Sequence, residues 1–276
     1  MPLLGGLFHK GDGGPVVIPV AAQVPVAFRV YYTPGYPPLL PEDLRAKAVA
    51  WVENHVEEPL RSALRPVVGS PALSYADMAK TAFPPPLDLL QHSDVGDEER
   101  GRLERAWQVL VVSCDARPQV PMFGLWAAIA AARSAALELS GALFDAPAVR
   151  LTEIASYQQG LPRTGVLNVT DHVAFPADSD PSGLIRWHTT GMNKFGLPEI
   201  VIPAPAGVDQ GSPLRALAQH LLDSLLRANH GRPELLTELV VPADPSLPQA
   251  TGPASLRLQL VPGQTGVPTL VALPPT

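Results

Sequence analysis

Short apolar or alternating runs, separated by proline-broken polar stretches, divide the chain into elements. "VPVAFRVYY" (24–32) alternates and is rich in β-branched and aromatic residues, which predicts a strand. "WQVLVVSC" (107–114) is almost wholly apolar, as a strand covered on both faces would be. "ALFDAPAVRLTEI" reads as one strand kinked at Pro147. "VLNVTDHVAF" (166–175) sets Leu167, Val169, Val173 and Phe175 on one side and Asn168, Thr170 and His172 on the other. "LIRWHTT" (184–190) alternates again, "PEIVIPA" is a further short strand, and "SLRLQLVPGQTGVPTLVAL" reads as a last hairpin.

Helical periodicity marks three longer segments. Pro41 opens the first, with Glu42 and Asp43 in its first turn and Leu44, Ala48, Trp51, Val52 and Val56 as its apolar stripe. "PMFGLWAAIAAARSAALELSG" is alanine-rich with Arg133 and Glu138 its only charges, so it should lie largely buried on a sheet, with Gly141 as its left-handed terminator. Ser212 and Pro213 form an N-cap and first-turn pair ahead of Leu214, Leu217, Leu221 and Leu225. "DEERGRLERA" adds a short solvated helix. The order predicts an α+β protein with mainly antiparallel sheets, helices packed on one face, and two strand–helix–strand halves. The expected divisions are an extended lead-in over 1–23, an N-terminal half over 24–105 and a C-terminal domain over 106–276.

Composition narrows the picture. Of 276 residues, 46% are hydrophobic and only 17% charged, enough apolar content for a substantial core. The 33 prolines are more than twice an average share of about 5%, implying rigid loops and frequent element breaks. A net charge of −6 without a Lys/Arg cluster supplies no nucleic-acid footprint. The single cysteine, Cys114, permits no internal disulfide and fits a reducing compartment. Prolines 15, 19 and 25 interrupt the apolar start, so a secretory leader is not expected, nor is a membrane span, and the cytoplasm is the expected location.

Candidate chemistry concentrates between residues 166 and 200. Aligning apolar with apolar across the 166–175 and 184–190 strands pairs Phe175 with Ile185, Val173 with Trp187 and Ala174 with Arg186. That register sets His172 opposite His188, with Cβ atoms about 4.5–5.5 Å apart. Such a pair could bind a metal or share a proton, but zinc catalysis needs a third ligand, for which Asp178 and Asp180 are the nearby candidates. The alternative is an ordinary polar hairpin face. Asp171 falls among apolar positions, opposite Thr189, as a candidate general base or a carboxylate at the sheet margin. Cys114, at a strand end, is a weaker candidate nucleophile than a buried structural thiol. In "GMNKFG", Gly191 and Gly196 bracket turn chemistry, with Met192 and Phe195 as anchors and Lys194 projecting outward.

The string His188-Thr189-x-Gly191-Met192-x-Lys194-Phe195-Gly196-x-Pro198-Glu199 resembles a motif of uncharacterised bacterial domains of unknown function. The segment "GLWAAIAAARSAALELSGALFDAPAVRL" is similar to the helix and strand that precede it there, and the resemblance spans about residues 107–202. It implies a bacterial domain and no particular activity. Two functions follow as expectations. The first is a non-enzymatic interaction protein (adaptor, immunity-like or accessory subunit) without a cofactor, meeting a protein partner through Met192, Lys194 and Phe195 in the 192–198 turn and through the 84–90 loop. The second is a hydrolase built on His172, His188 and Asp171, with or without a metal.

Overall fold

The computed structural model describes residues 15–35, 39–77, 96–118, 121–152, 154, 161–162, 167–179, 183–227, 234–236, 238–241, 254–262 and 268–273. The elements are, in order, β1 (Pro15–Val17), β2 (Val24–Tyr32), α1 (Pro41–His55), α2 (Leu60–Leu64) and β3 (Ala72–Asp77). Then come α3 (Asp97–Arg105), β4 (Gln108–Ala116), α4 (Phe123–Glu138), β5 (Ala142–Asp145) and β6 (Arg150–Thr152). The remainder are β7 (Ala177–Ser179), β8 (Leu184–His188), β9 (Glu199–Pro205), α5 (Gly211–Arg227), β10 (Glu234–Leu236), β11 (Glu238–Val241), β12 (Ala254–Val261) and β13 (Thr269–Leu273). The protein is α+β, with mostly antiparallel sheets.

Two compact units divide the chain, and neither follows the expected boundary near residue 105. One, here the inserted unit, comprises Gln23–Arg117 and Met122–Leu167; the other, the flanking unit, comprises Met1–Ala22, Pro118–Pro121 and Asn168–Thr276. The reason lies in pairing. β4 was expected to begin a second domain, but it hydrogen-bonds along its whole length to β2, from Val24↔Ala116 to Tyr32↔Gln108.

The inserted unit holds a five-stranded antiparallel sheet in the order β3-β4-β2-β5-β6. One face carries Val26, Phe28 and Val30 of β2 with Leu110 and Val112 of β4, all buried. α4 packs on this face, and its row of alanines lets it approach closely. α1 covers α4 from the other side. The short α3 lies on the opposite sheet face, where Leu103 joins Tyr31, Val109 and Phe144 in one apolar cluster. α1, α2 and α4 therefore lie on one side of this sheet and α3 on the other.

The end of α4 departs from expectation in an informative way. Ser140, not Gly141, takes the left-handed conformation at φ 48°. The Ser140 amide donates to Leu137 O and the Gly141 amide to Ala136 O, which together close the helix. Glycine is needed one residue later because β2 passes there: a Cβ on Gly141 would lie 2.7 Å from Val30 Cγ1 and 2.8 Å from Tyr31 O. Downstream, the expected kinked strand is a hairpin of β5 and β6, with Asp145 Oδ1 accepting the Ala148 amide in the turn.

The flanking unit contains a six-stranded sheet, β11-β12-β13-β9-β8-β7, antiparallel except for β13 beside β9, and a two-stranded pair of β1 with β10. α5 packs by Leu214, Leu217, Leu221 and Leu225, the expected stripe, all fully buried. It starts at Gly211, ahead of Ser212, and the Gly211 amide donates to Asp209 Oδ1. Among the described residues no helix is long and apolar enough to cross a membrane.

Candidate functional site

The histidine pair expected across a hairpin does not form. Residues 169–171 make a 3-10 turn instead of continuing a strand. Asn168 starts it, its side-chain oxygen accepting the Thr170 amide at 3.2 Å and the Thr170 hydroxyl at 3.0 Å. The Val169 amide, which a strand partner would have taken, donates to Gln219 Oε1 of α5 at 2.8 Å. Local side-chain bonds of this kind compete with a sheet ladder. The register also differs: Ala174 faces Thr190 rather than Arg186, and Ala177 faces Trp187. This even slip leaves every side chain on the same face although Ile185 now meets Ser179, so alternation alone could not distinguish the two alignments.

The two rings consequently occupy different settings. His172 is buried and meets the Phe195 ring edge-on, with centroids 5.3 Å apart. His188 is partly exposed; its amide donates to Pro176 O, and its Nδ1 lies 3.6 Å from Asp178 Oδ2. Asp171 sits half-buried in the 3-10 turn, not on a strand facing Thr189. Asp180 and the 84–90 loop fall outside the described residues. Among the described residues no three His, Cys, Asp or Glu side chains gather as a metal set. Cys114 is held away from thiolate chemistry, its thiol pushed up to about 11 by burial and then by neighbouring Asp115.

The motif "HTTGMNKFGLPE" builds an internal staple. Gly191 and Gly196 take positive φ (114° and 70°) on either side of a 3-10 turn over Met192–Phe195. Glu199, at the start of β9, folds its carboxylate onto the turn's amino end. It accepts from Gly191 N at 2.9 Å, Met192 N at 3.3 Å, Asn193 N at 3.3 Å and the Thr189 hydroxyl at 2.7 Å. Thr189 Oγ1 in turn accepts the Ile200 amide at 2.8 Å. These donors draw the Glu199 pKa down, but burial outweighs them and holds it above the ordinary carboxylate value. Sequence reasoning quoted Glu199 without assigning it this role. Its signal was a carboxylate closely following two glycines that expose consecutive amides.

Lys194 does not project outward. It is fully buried, as are Met192 and Phe195, with its ammonium 5.8 Å from the Phe195 ring centroid. The anchoring role expected of Met192 and Phe195 fits this burial, whereas a contact surface made of the three residues does not.

The inserted unit provides an accessible site that the sequence did not announce. A groove of about 690 Å³ opens where β2, β3 and β4 end beside the last residues of α4 and the first of α1. Tyr32, Tyr75 and Gln108 belong to the sheet, Leu40 leads into α1, and Glu138 and Leu139 come from the end of α4. The Tyr32 hydroxyl donates to Gln108 Oε1 at 2.9 Å, and the Tyr75 hydroxyl to Leu39 O at 3.3 Å. Burial, and then Tyr75, push the Tyr32 hydroxyl up to about 12. Burial and the nearby Asp43 and Glu42 carboxylates raise Tyr75 as well. Glu138 pairs with Lys47 at 3.2 Å. The groove's walls are apolar with a few fixed polar groups, and its volume lies in the range of ligand clefts. Its tyrosines are tuned away from proton transfer near neutrality. No known family matches the chain, and no curated protein or solved structure matches it significantly.

Proposed function

We propose that the protein is a non-enzymatic interaction module whose partner docks in the groove of the inserted unit. One observation carries the reading: a groove of ligand-sized volume keeps Tyr75 and Leu40 37% and 51% exposed beside fixed polar groups. The motif's likeness to bacterial domains of unknown function assigns no reaction. A cytoplasmic protein partner, in an adaptor, immunity-like or accessory role, belongs to the same proposal. The hydrolase alternative loses its support with the cross-strand histidine pair.

The reading is tested by panning the purified protein against an unbiased displayed peptide library. Enriched peptides that bind the wild type and lose binding to Leu139→Arg and Tyr75→Ala support it. An absence of enrichment, or binders indifferent to both variants, overturns it.

A further inference from the structure

Among the described residues, the two helix ends at the groove carry different charges. α4 is a 16-residue helix that ends at the groove, and its peptide dipoles place partial negative charge there. Its last residue is Glu138, and its last turn carries no basic residue. On the opposite wall the start of α1 offers the reverse polarity, but that end is already answered. Glu42 and Asp43 lie in its first turn, and Asp43 Oδ2 accepts the Leu40 amide at 3.1 Å. The positive pole is therefore answered by carboxylates of its own helix, whereas the negative pole carries Glu138 and no basic residue of its own helix.

Among the described residues, Arg45 and Lys47 stand near. Arg45 faces Tyr75, but its Nε donates to Gly69 O at 3.2 Å, and Asp43 and Glu42 outweigh it at the tyrosine. Lys47 reaches Glu138, with the two side chains 52% and 33% exposed. An ion pair so open to solvent contributes little and exchanges readily with another cation. Tyr75, 37% exposed in the same groove, offers a ring face that attracts cations, whereas Tyr32 is buried. Leu40 and Leu139 supply apolar wall against which a long cationic side chain lays its methylenes.

Granting that the groove is the docking place, we infer that its occupant is a basic peptide segment, with an arginine or lysine side chain seated between the end of α4 and Tyr75. An acidic segment would meet Glu138 and the helix's negative end without compensation.

Three random octapeptide pools, fixed at the centre as arginine, glutamine or glutamate, test this with immobilised full-length protein. The arginine pool should be retained about tenfold over the glutamate pool, the selectivity of one well-placed charge contact. Glu138→Gln should reduce that ratio to about threefold or less, and Tyr75→Ala should weaken retention of the arginine and glutamine pools together. Each variant is checked for an unchanged denaturation midpoint. Equal retention of all three pools, or preference for glutamate, overturns the basic occupant while leaving the groove as a docking place. Retention of no pool, or retention insensitive to both variants, overturns the docking reading as well.

Discussion

The Met192–Phe195 turn and the groove of the inserted unit are opposites in sequence and in structure. The turn sits in the most chemically varied stretch of the chain, with histidine, threonines, lysine, glycines and glutamate close together. Almost all of that chemistry is consumed internally, since Glu199 binds the turn's amides and Lys194, Met192 and Phe195 are buried. The groove gathers plain residues from distant parts of the chain, of which Leu40 and Tyr75 remain exposed. A dense local motif is a good sign that a structure is specified, and a weak sign that anything outside it is recognised.

The strongest way to break the contrast is Gly196→Ala. The residue sits at φ 70°, and a Cβ would fall 2.7 Å from Pro118 Cγ. Backbone strain and overpacking together should cost about 2–4 kcal/mol, read from urea denaturation. A cost below about 0.5 kcal/mol would mean the turn is not a structural staple. Replacing the histidines separates their settings. Truncating buried His172 to alanine should destabilise by about 2–4 kcal/mol. His188→Ala removes only a solvent-screened contact with Asp178 and should cost about 0–1 kcal/mol. Saturable zinc binding lost in both variants would restore a shared site and defeat this account.

Glu199→Gln should cost about 1–3 kcal/mol, because a neutral amide replaces a carboxylate before four donors. The same variant sharpens a pH effect. The folded-state pKa of Glu199 lies above its ordinary 4.5, so the folded chain holds the proton more tightly than the unfolded one. Its contribution is full below 4.5 and declines as pH rises through the elevated value. Stability measured across that window should fall for the wild type and change less for Glu199→Gln. The smallest expected effect on folding is in the groove, where Tyr75→Ala should shift stability by less than about 1 kcal/mol and still weaken peptide retention.

Much of the architecture was readable along the chain because it rests on local periodicity. The strands at 24–32 and 107–114, the helix opened by Pro41, the alanine-rich helix and the leucine stripe of α5 all follow from spacing alone. What failed was non-local. The 169–171 turn depends on Gln219 taking an amide from across the unit, and the hairpin register was ambiguous because an even slip preserves the faces. The chain division was missed because β4 pairs back to β2. The groove was missed because it is made by the ends of elements, whose meeting no single segment encodes.

Gly196 also bears on the order in which the protein can be made. Its carbonyl accepts the Ala21 amide, and its α-carbon lies against Pro118, both of the flanking unit. Ala21 leaves the ribosome long before its partner exists, and all the residues of the inserted unit are translated in between. That unit can complete its sheet while the flanking unit still lacks most of its strands, and closing so long a loop costs little more entropy than closing a shorter one. Assembly of the flanking unit is thus a late event, in which the "KFG" turn secures Ala21 and β1 waits for the still later β10.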